Sequence, residues 1–257
     1  MPMYPMDDSG DIAELVKAFT MTTPQCIGAT VNAVRHVVRN GVPGDIVECG
    51  VWLGGSSMAM ALALMETSPG QFLTMRPVSV EELDRIRLYW LSAYTGSRAA
   101  HPSVFSAGIS PSTAPVRRLW LFDTFEGMTR PAPVDGEEAN RRYEKDWLRI
   151  GLELVQANMA LTGYPGEYIT YVKGPVETTL PTSGPEQIAV LRLDTDWHAS
   201  TKAELDNLWP RVSPGGVMIL DDYACWPGCA QAVDEYFAGQ TINSFPVGAF
   251  GIAVIKD

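Results

Sequence analysis

Apolar residues recur along the chain at two spacings, and the switches between them divide it into elements. Over 26–40, Ile27, Val31, Val34, Val37 and Val38 fall at helical intervals and Asn40-Gly41 supplies a stop, which predicts a helix lying against a sheet. A β-prone run over 45–49 leads into a glycine-rich turn from Gly50 to Gly55, and 56–66, dense in Ala, Met and Leu, predicts a buried helix. Strands follow over 119–122, 167–172, 188–193, 217–220 and 249–255, interleaved with helices over 142–160, 202–208 and 230–237. Alternation of this kind implies a doubly wound, mostly parallel α/β sheet with helices on both faces. Ligands of such a sheet gather at the C-terminal ends of its strands.

The stretch 67–116 interrupts the alternation. Ser79 and Glu82 form a capping-box pattern ahead of Leu83, Ile86, Leu88 and Leu91, with Tyr89, Trp90 and Tyr94 among them, and Pro102, Pro111 and Pro115 mark a long surface loop. Inside one domain, such a stretch is a lid, an oligomer contact, a disordered segment or a tolerated insertion. The chain reads as one domain over 1–257 with a helical prelude over 1–43. The prelude and the aromatic helix together suggest a homo-oligomer.

Composition alters this picture mainly through charge. A chain of 257 residues, 46% hydrophobic and 19% charged, buries a sizeable core without staples. Thirty acidic against nineteen basic residues leave a formal charge of −11, which repels nucleic acid and anionic membranes, so neither is expected as a partner. No basic and then apolar leader and no bilayer-length apolar run is present, which predicts a cytoplasmic protein. Cys26, Cys49, Cys225 and Cys229 are too few and scattered for a disulfide framework and read as reduced thiols.

Candidate chemistry sits after the predicted strands. In Glu48-Cys-Gly50-Val-Trp-Leu-Gly54-Gly55-Ser56-Ser57, Gly50 permits a sharp turn, and Gly54 and Gly55 would let a ligand approach the main chain ahead of a helix N-terminus. The spacing excludes the dinucleotide fingerprint, and no lysine is present for a P-loop. Asp123, ending an apolar strand, is a candidate ribose ligand or a helix cap. Asp194 with Asp196, and Asp221 with Asp222, each follow an apolar strand; adjacent strands would gather three or four carboxylates, whose charge calls for a hard divalent cation such as Mg²⁺. His198, two residues beyond Asp196, is a candidate base or a rim residue, whereas His36 and His101 read as structural. The Cys225–Cys229 spacing fits neither a zinc site nor a redox pair and is read as tight packing.

Taken together and in order, the segments VECGVWLGGSS, LWLFDTFEGM, VKGPVETTLP, LRLDTDWHAST and SPGGVMILDDYACWPGCAQAVDEYF resemble the macrocin O-methyltransferase family of antibiotic biosynthesis. The resemblance implies a class I methyltransferase fold, Rossmann-like with a terminal antiparallel strand, and Mg²⁺-assisted transfer of a methyl group from S-adenosylmethionine to a sugar hydroxyl. It implies that Glu48, Gly50, Gly54, Gly55, Ser56 and Ser57 hold the methionine part of the cofactor. Asp123 and Thr124 would lie at the ribose, Gly174 and Val176 at the adenine, and Asp194 beside the cofactor. Asp194, Asp221 and Asp222 match the metal-binding acids, and the general base is Asp194, Asp196 or His198. The segment 67–116 carries no resemblance. The acceptor implied is a rhamnose-type deoxysugar, either nucleotide-linked or already on a scaffold; a catechol-type phenol O-methyltransferase and an NAD(P)-dependent oxidoreductase are the competing readings.

Overall fold

Seven strands form a single sheet in the order β3-β2-β1-β4-β5-β7-β6. The computed structural model describes residues 10–67, 116–146 and 148–257. The expectations for Ser79, Glu82, Tyr89, Trp90, Tyr94, His101 and the prolines of 68–115 lie outside the described residues.

The strands are β1 (Asp45–Cys49), β2 (Leu119–Asp123), β3 (Ile169–Lys173), β4 (Ile188–Leu193), β5 (Val212–Leu220), β6 (Asn243–Val247) and β7 (Gly251–Ile255). β1 to β5 are parallel, and β7 runs antiparallel to both β5 and β6. The described helices are α1 (Gly10–Val16), α2 (Pro24–Arg39), α3 (Gly55–Thr67), α4 (Gly136–Glu144), α5 (Leu152–Ala160), α6 (Val176–Thr179), α7 (His198–Leu208) and α8 (Pro227–Tyr236).

Successive strand residues point to opposite faces, so each central strand feeds two cores. Ile46, Leu121 and Val190 face α2, α3 and α5, while Val47, Phe122 and Leu191 face α7 and α8. α2 starts where the Thr23 hydroxyl accepts from the Cys26 N–H and Pro24 occupies the first turn. α3 is buried on nearly every side, which explains its lack of a polar face.

Three departures from expectation have a clear physical cause. The predicted helix over 142–160 is broken into α4 and α5, because Asp146 takes a left-handed φ of 45° and Gly151 is extended. β5 begins at Val212, five residues early, carrying Pro214, Gly215 and Gly216 through a register shift against β4. β6 escaped the sequence reading because it is a polar, exposed edge strand containing Pro246.

All four thiols are free; Cys26, Cys49 and Cys229 are buried and Cys225 is exposed. Burial pushes the Cys26 thiol up to about 12. One thiol of the four is therefore expected to react promptly with Ellman's reagent in the native protein and all four after unfolding. A second prompt thiol would show that the Cys26 contact with the Val247 carbonyl opens readily.

Candidate functional site

The strand order reverses between β1 and β4, and this switch point is where an α/β sheet leaves a crevice. Backbone hydrogen bonds continue one residue past the strands. Asp194 N–H donates to the Cys49 carbonyl (2.9 Å), Asp221 N–H to Leu193 (3.1 Å), Gly50 N–H to Phe122 (2.9 Å) and Gly174 N–H to Asp123 (2.9 Å). Gly50, Asp194 and Asp221 are thereby held level, and a β-carbon on Gly50 would stand 2.0 Å from the Asp194 carbonyl oxygen.

A cleft opens above these ends. Gly50 and Trp52 line it after β1, Asp123 and Thr124 after β2, Gly174, Val176 and Glu177 after β3, and Asp194, Thr195 and Asp196 after β4. Met21, Met128 and Leu148 supply apolar wall. A hollow of about 620 Å³ lies between α2 and β6, but no ionisable side chain lines it. Of these two cavities only the first is lined by ionisable side chains, Asp123, Glu177, Asp194 and Asp196 among them.

Behind the cleft floor sits a buried charge network. Arg192, wholly inaccessible in β4, donates from Nη1 to Glu48 Oε1 (2.9 Å) and Asp194 Oδ2 (2.7 Å). From Nη2 it reaches Asp221 Oδ2 (3.0 Å) and the Thr22 hydroxyl (2.8 Å). Burial works against the guanidinium charge, and Asp194, Asp221 and Glu48 together outweigh it, so Arg192 stays protonated. Glu48 also accepts from the hydroxyls of Ser56 and Ser57. Burial pushes its carboxyl up, while Arg192 and the two serines pull it back.

Asp194, Asp196 and Asp222 offer oxygens that lie within 4.8 Å of one another. Burial raises Asp194 and Asp222 well above the usual carboxylate range, with their acidic neighbours adding to it, and pushes Asp196 up to about 7. Asp222 Oδ2 is buried with no hydrogen-bond partner. Asp196 is held at a left-handed φ of 70°, lines the cleft and stands beside the other two acids. Of the expected trio, Asp194 and Asp222 lie together with Asp196, while Asp221 accepts from Arg192 and Thr22 through Oδ2 and its Oδ1 is buried without a hydrogen-bond partner.

His198 is the residue expected as a base or at the rim. Its Nε2 lies 3.1 Å from Glu235 Oε2 on α8. Asp135, buried in a 3-10 turn, accepts the His198 N–H at Oδ1 (2.7 Å) and fixes the start of α7. Trp197 Nε1 donates to the Thr129 carbonyl (2.9 Å) and ties the same loops together.

The expected cofactor residues divide into two groups. Gly50, Asp123, Thr124, Gly174, Val176 and Asp194 line the cleft; Glu48, Gly54, Gly55, Ser56 and Ser57 lie outside its lining. Gly55 gives room to the chain itself: a β-carbon there would meet the Phe19 carbonyl at 2.6 Å. Asp123 does a cap's work, accepting from Val51 N–H (2.7 Å), Trp52 N–H (3.2 Å) and Phe125 N–H (2.8 Å), while its carboxylate remains at the cleft wall. Thr124 donates to the Gly127 carbonyl and closes the following turn.

The profile of one protein family, Macrocin-O-methyltransferase (TylF), matches residues 8–74 and 102–249. The chain belongs to the macrocin-O-methyltransferase family. The stretch 75–101 that this profile skips lies within the segment where the sequence showed no resemblance. Among curated relatives, the 8-demethyl-8-(2,3-dimethoxy-alpha-L-rhamnosyl)-tetracenomycin-C 4'-O-methyltransferase of Streptomyces olivaceus is 32% identical over 207 residues, 79% of this chain and 61% of that enzyme. The Mycinamicin III 3''-O-methyltransferase of Micromonospora griseorubida is 29% identical over 225 residues, 85% of this chain and 70% of that one. The chain therefore spans about three fifths of the length of the Streptomyces olivaceus relative. Of solved structures, the O-methyltransferase NovP superposes with a TM-score of 0.69 and 27% identity, over 93% of this chain and 82% of that one. The class I methyltransferase fold implied by the resemblance is the fold observed, including the antiparallel β7.

Within this macrocin-O-methyltransferase family chain, four contributors escaped the sequence reading: Arg192, Asp135, Glu204 and the Met21-Thr22 segment. Glu204, wholly buried on α7, accepts from the Thr195 hydroxyl at 2.9 Å and braces the Asp194–Asp196 loop from behind. Arg192 did leave a local signal. A cation inside an otherwise apolar, central strand needs buried carboxylates around it.

Among the described residues no helix is long and apolar enough to cross a membrane.

Proposed function

We propose that this chain is a Mg²⁺-dependent O-methyltransferase that uses S-adenosylmethionine to methylate a hydroxyl of a rhamnose-type deoxysugar, nucleotide-linked or already on a scaffold, in secondary-metabolite biosynthesis. The observation that carries this reading is the convergence of Asp194, Asp196 and Asp222, the first two of which line the switch-point cleft. Family membership supports the methyl transfer, and the tetracenomycin relative, named for a rhamnosyl substrate, supports the acceptor class.

The acid cluster fits a hard cation: its donors are all carboxylate oxygens, one of them buried and unpartnered. Asp194 and Asp222 would hold Mg²⁺, which supplies Lewis-acid polarisation of the acceptor oxygen. S-adenosylmethionine supplies the electrophilic methyl group. Asp123 would lie at the ribose, Gly174 and Val176 at the adenine, and Gly50 and Trp52 at the methionine end, since all five line the cleft. Met21, Met128 and Leu148 give the cleft an apolar wall that would help exclude water. Asp196 takes the proton from the acceptor hydroxyl as the methyl group transfers, and Thr195 and Glu204 keep its loop in place. His198, bonded to Glu235, shapes the rim.

Thermal shift with S-adenosylmethionine, S-adenosylhomocysteine, NAD⁺ and NADP⁺, each with Mg²⁺ and with EDTA, tests the reading. The two S-adenosyl compounds alone are expected to stabilise the protein, by about 2.7 kcal/mol at about 100 times Kd. Rhamnose-bearing acceptors should then gain one methyl group by mass spectrometry, and EDTA should stop the gain. A response to NAD⁺ or NADP⁺ alone, or to none of the four, would overturn the proposal.

A further inference from the structure

Asp196 is the middle residue of a three-residue turn. The Trp197 N–H donates back across it to the Thr195 carbonyl at 2.8 Å, and Asp196 itself has a φ of 70°. A turn closed over two residues with a positive φ at its centre is the strained form of γ-turn. A residue that carries a β-carbon holds this conformation only where its surroundings enforce it.

The enforcing contacts lie on both sides of the turn. Before it, the Thr195 hydroxyl donates to the buried Glu204 at 2.9 Å. After it comes Asp135, 63 positions away in sequence, only 1% exposed and with both carboxylate oxygens given to backbone donors. Oδ1 accepts the His198 N–H at 2.7 Å, and Oδ2 accepts the Ala132 N–H at 2.7 Å. Trp197, the residue that precedes α7, makes no side-chain cap, so a carboxylate from another element takes that place at the positive end of the helix. α8 leaves room for it: a β-carbon on Gly228 would stand 1.9 Å from Asp135 Oδ1 and 3.0 Å from the His198 nitrogen. The Trp197 ring adds a second tie, donating to the Thr129 carbonyl at 2.9 Å and packing edge-on against Trp226.

We propose that Asp135 is the positioning residue of Asp196. By fixing the His198 N–H it clamps the far end of the strained turn and so holds the Asp196 carboxylate where the acceptor hydroxyl arrives. The inference rests on the reading of Asp196 as the group that takes the proton. A cap carried by position 197 would stabilise α7 equally well but would leave the turn free to relax. A cap from Asp135 instead locks the turn to the segment whose Met128 and Thr129 form part of the cleft wall.

A double-mutant cycle in the full chain provides the test, with S-adenosylmethionine as donor, p-nitrophenyl α-L-rhamnoside as acceptor and single-turnover methylation as the readout. Asp135→Ala is expected to lower the rate by roughly 10²-fold, the cost of misplacing a reacting group by about 1 Å, with S-adenosylmethionine affinity nearly unchanged. Asp135→Asn, which keeps an oxygen for the His198 N–H, should retain most of the rate. In an Asp196→Asn background, Asp135→Ala should cost almost nothing further, because the group that it positions is already gone. A merely structural role would lower the rate equally in both backgrounds, and that result, or a near-parental Asp135→Ala, would overturn the assignment. Where Asp135→Ala does not fold, Gly228→Ala decides: it favours helix in α8 yet displaces Asp135, and it should reproduce the loss. Amide hydrogen exchange needs no acceptor and should quicken over residues 196–198 in Asp135→Ala while the central strands keep their protection. Unchanged exchange there would overturn the clamp. A parent that transfers no methyl group to the rhamnoside while its exchange behaves as expected would overturn the acceptor reading and leave the clamp standing.

Discussion

Asp196→Asn is expected to lower kcat by roughly 10²–10⁴-fold, the contribution of a positioned general base, with little change in S-adenosylmethionine affinity. The substitution keeps shape and hydrogen-bonding reach but cannot accept the acceptor's proton. Asp196 is the acid for this role because Asp194 is engaged by Arg192 and Asp222 carries the unpartnered oxygen suited to a cation. Asp196 lines the cleft, on a backbone held in the left-handed region. His198→Ala is the control: with its ring at Glu235, its loss should lower kcat by much less than about 10²-fold. Single-turnover methylation with both variants separates the two candidates. A near-normal Asp196→Asn beside a crippled His198→Ala would return the role to the histidine.

The second large effect is on stability. Glu48→Ala strips Arg192 of a fully buried partner and leaves the Ser56 and Ser57 hydroxyls without their acceptor. Breaking a buried pair costs about 3–5 kcal/mol when the remaining charge is stranded; Arg192 keeps Asp194 and Asp221, so the cost falls at the lower end of that range. For a chain of this size each kcal/mol lowers Tm by about 2–4 °C, so a fall of roughly 10 °C is expected. Glu48→Gln, which retains the shape and an oxygen, should lose less. Calorimetric unfolding measures both. Methyl-donor affinity, taken well below the lowered Tm, should be nearly unchanged in either variant. An unchanged Tm with a collapse in that affinity would instead favour direct contact between Glu48 and the cofactor, as the resemblance implies.

Elements buried on both faces were the easiest to read from the chain. β1 and β4 start and stop where their apolar runs do, because a central strand has no solvent face to dilute the pattern. β6, exposed and polar, carries no such signature, and its pairing with β7 is what makes it a strand. Likewise, the break between α4 and α5 is set by backbone conformation at Asp146 and Gly151, which a count of helical spacing passes over.

The site divides along the same line. That carboxylates end β2, β4 and β5 is local information: an acid directly after an apolar run is visible to anyone reading the chain, as is the glycine turn after β1. How those acids share their charge is not local. Glu48 and Arg192 stand 144 positions apart and Thr22 and Asp221 stand 199 apart, and only the register of β1, β4 and β5 brings them within hydrogen-bond distance. The sequence by itself determined the alternating α/β order and the residue types available at the strand ends, since period and burial are written into neighbouring positions. Tertiary structure decided that Asp221 turns inward to Arg192, that Asp196 lines the cleft beside Asp222 and that His198 is drawn to Glu235, because each choice depends on a partner that chain order places far away.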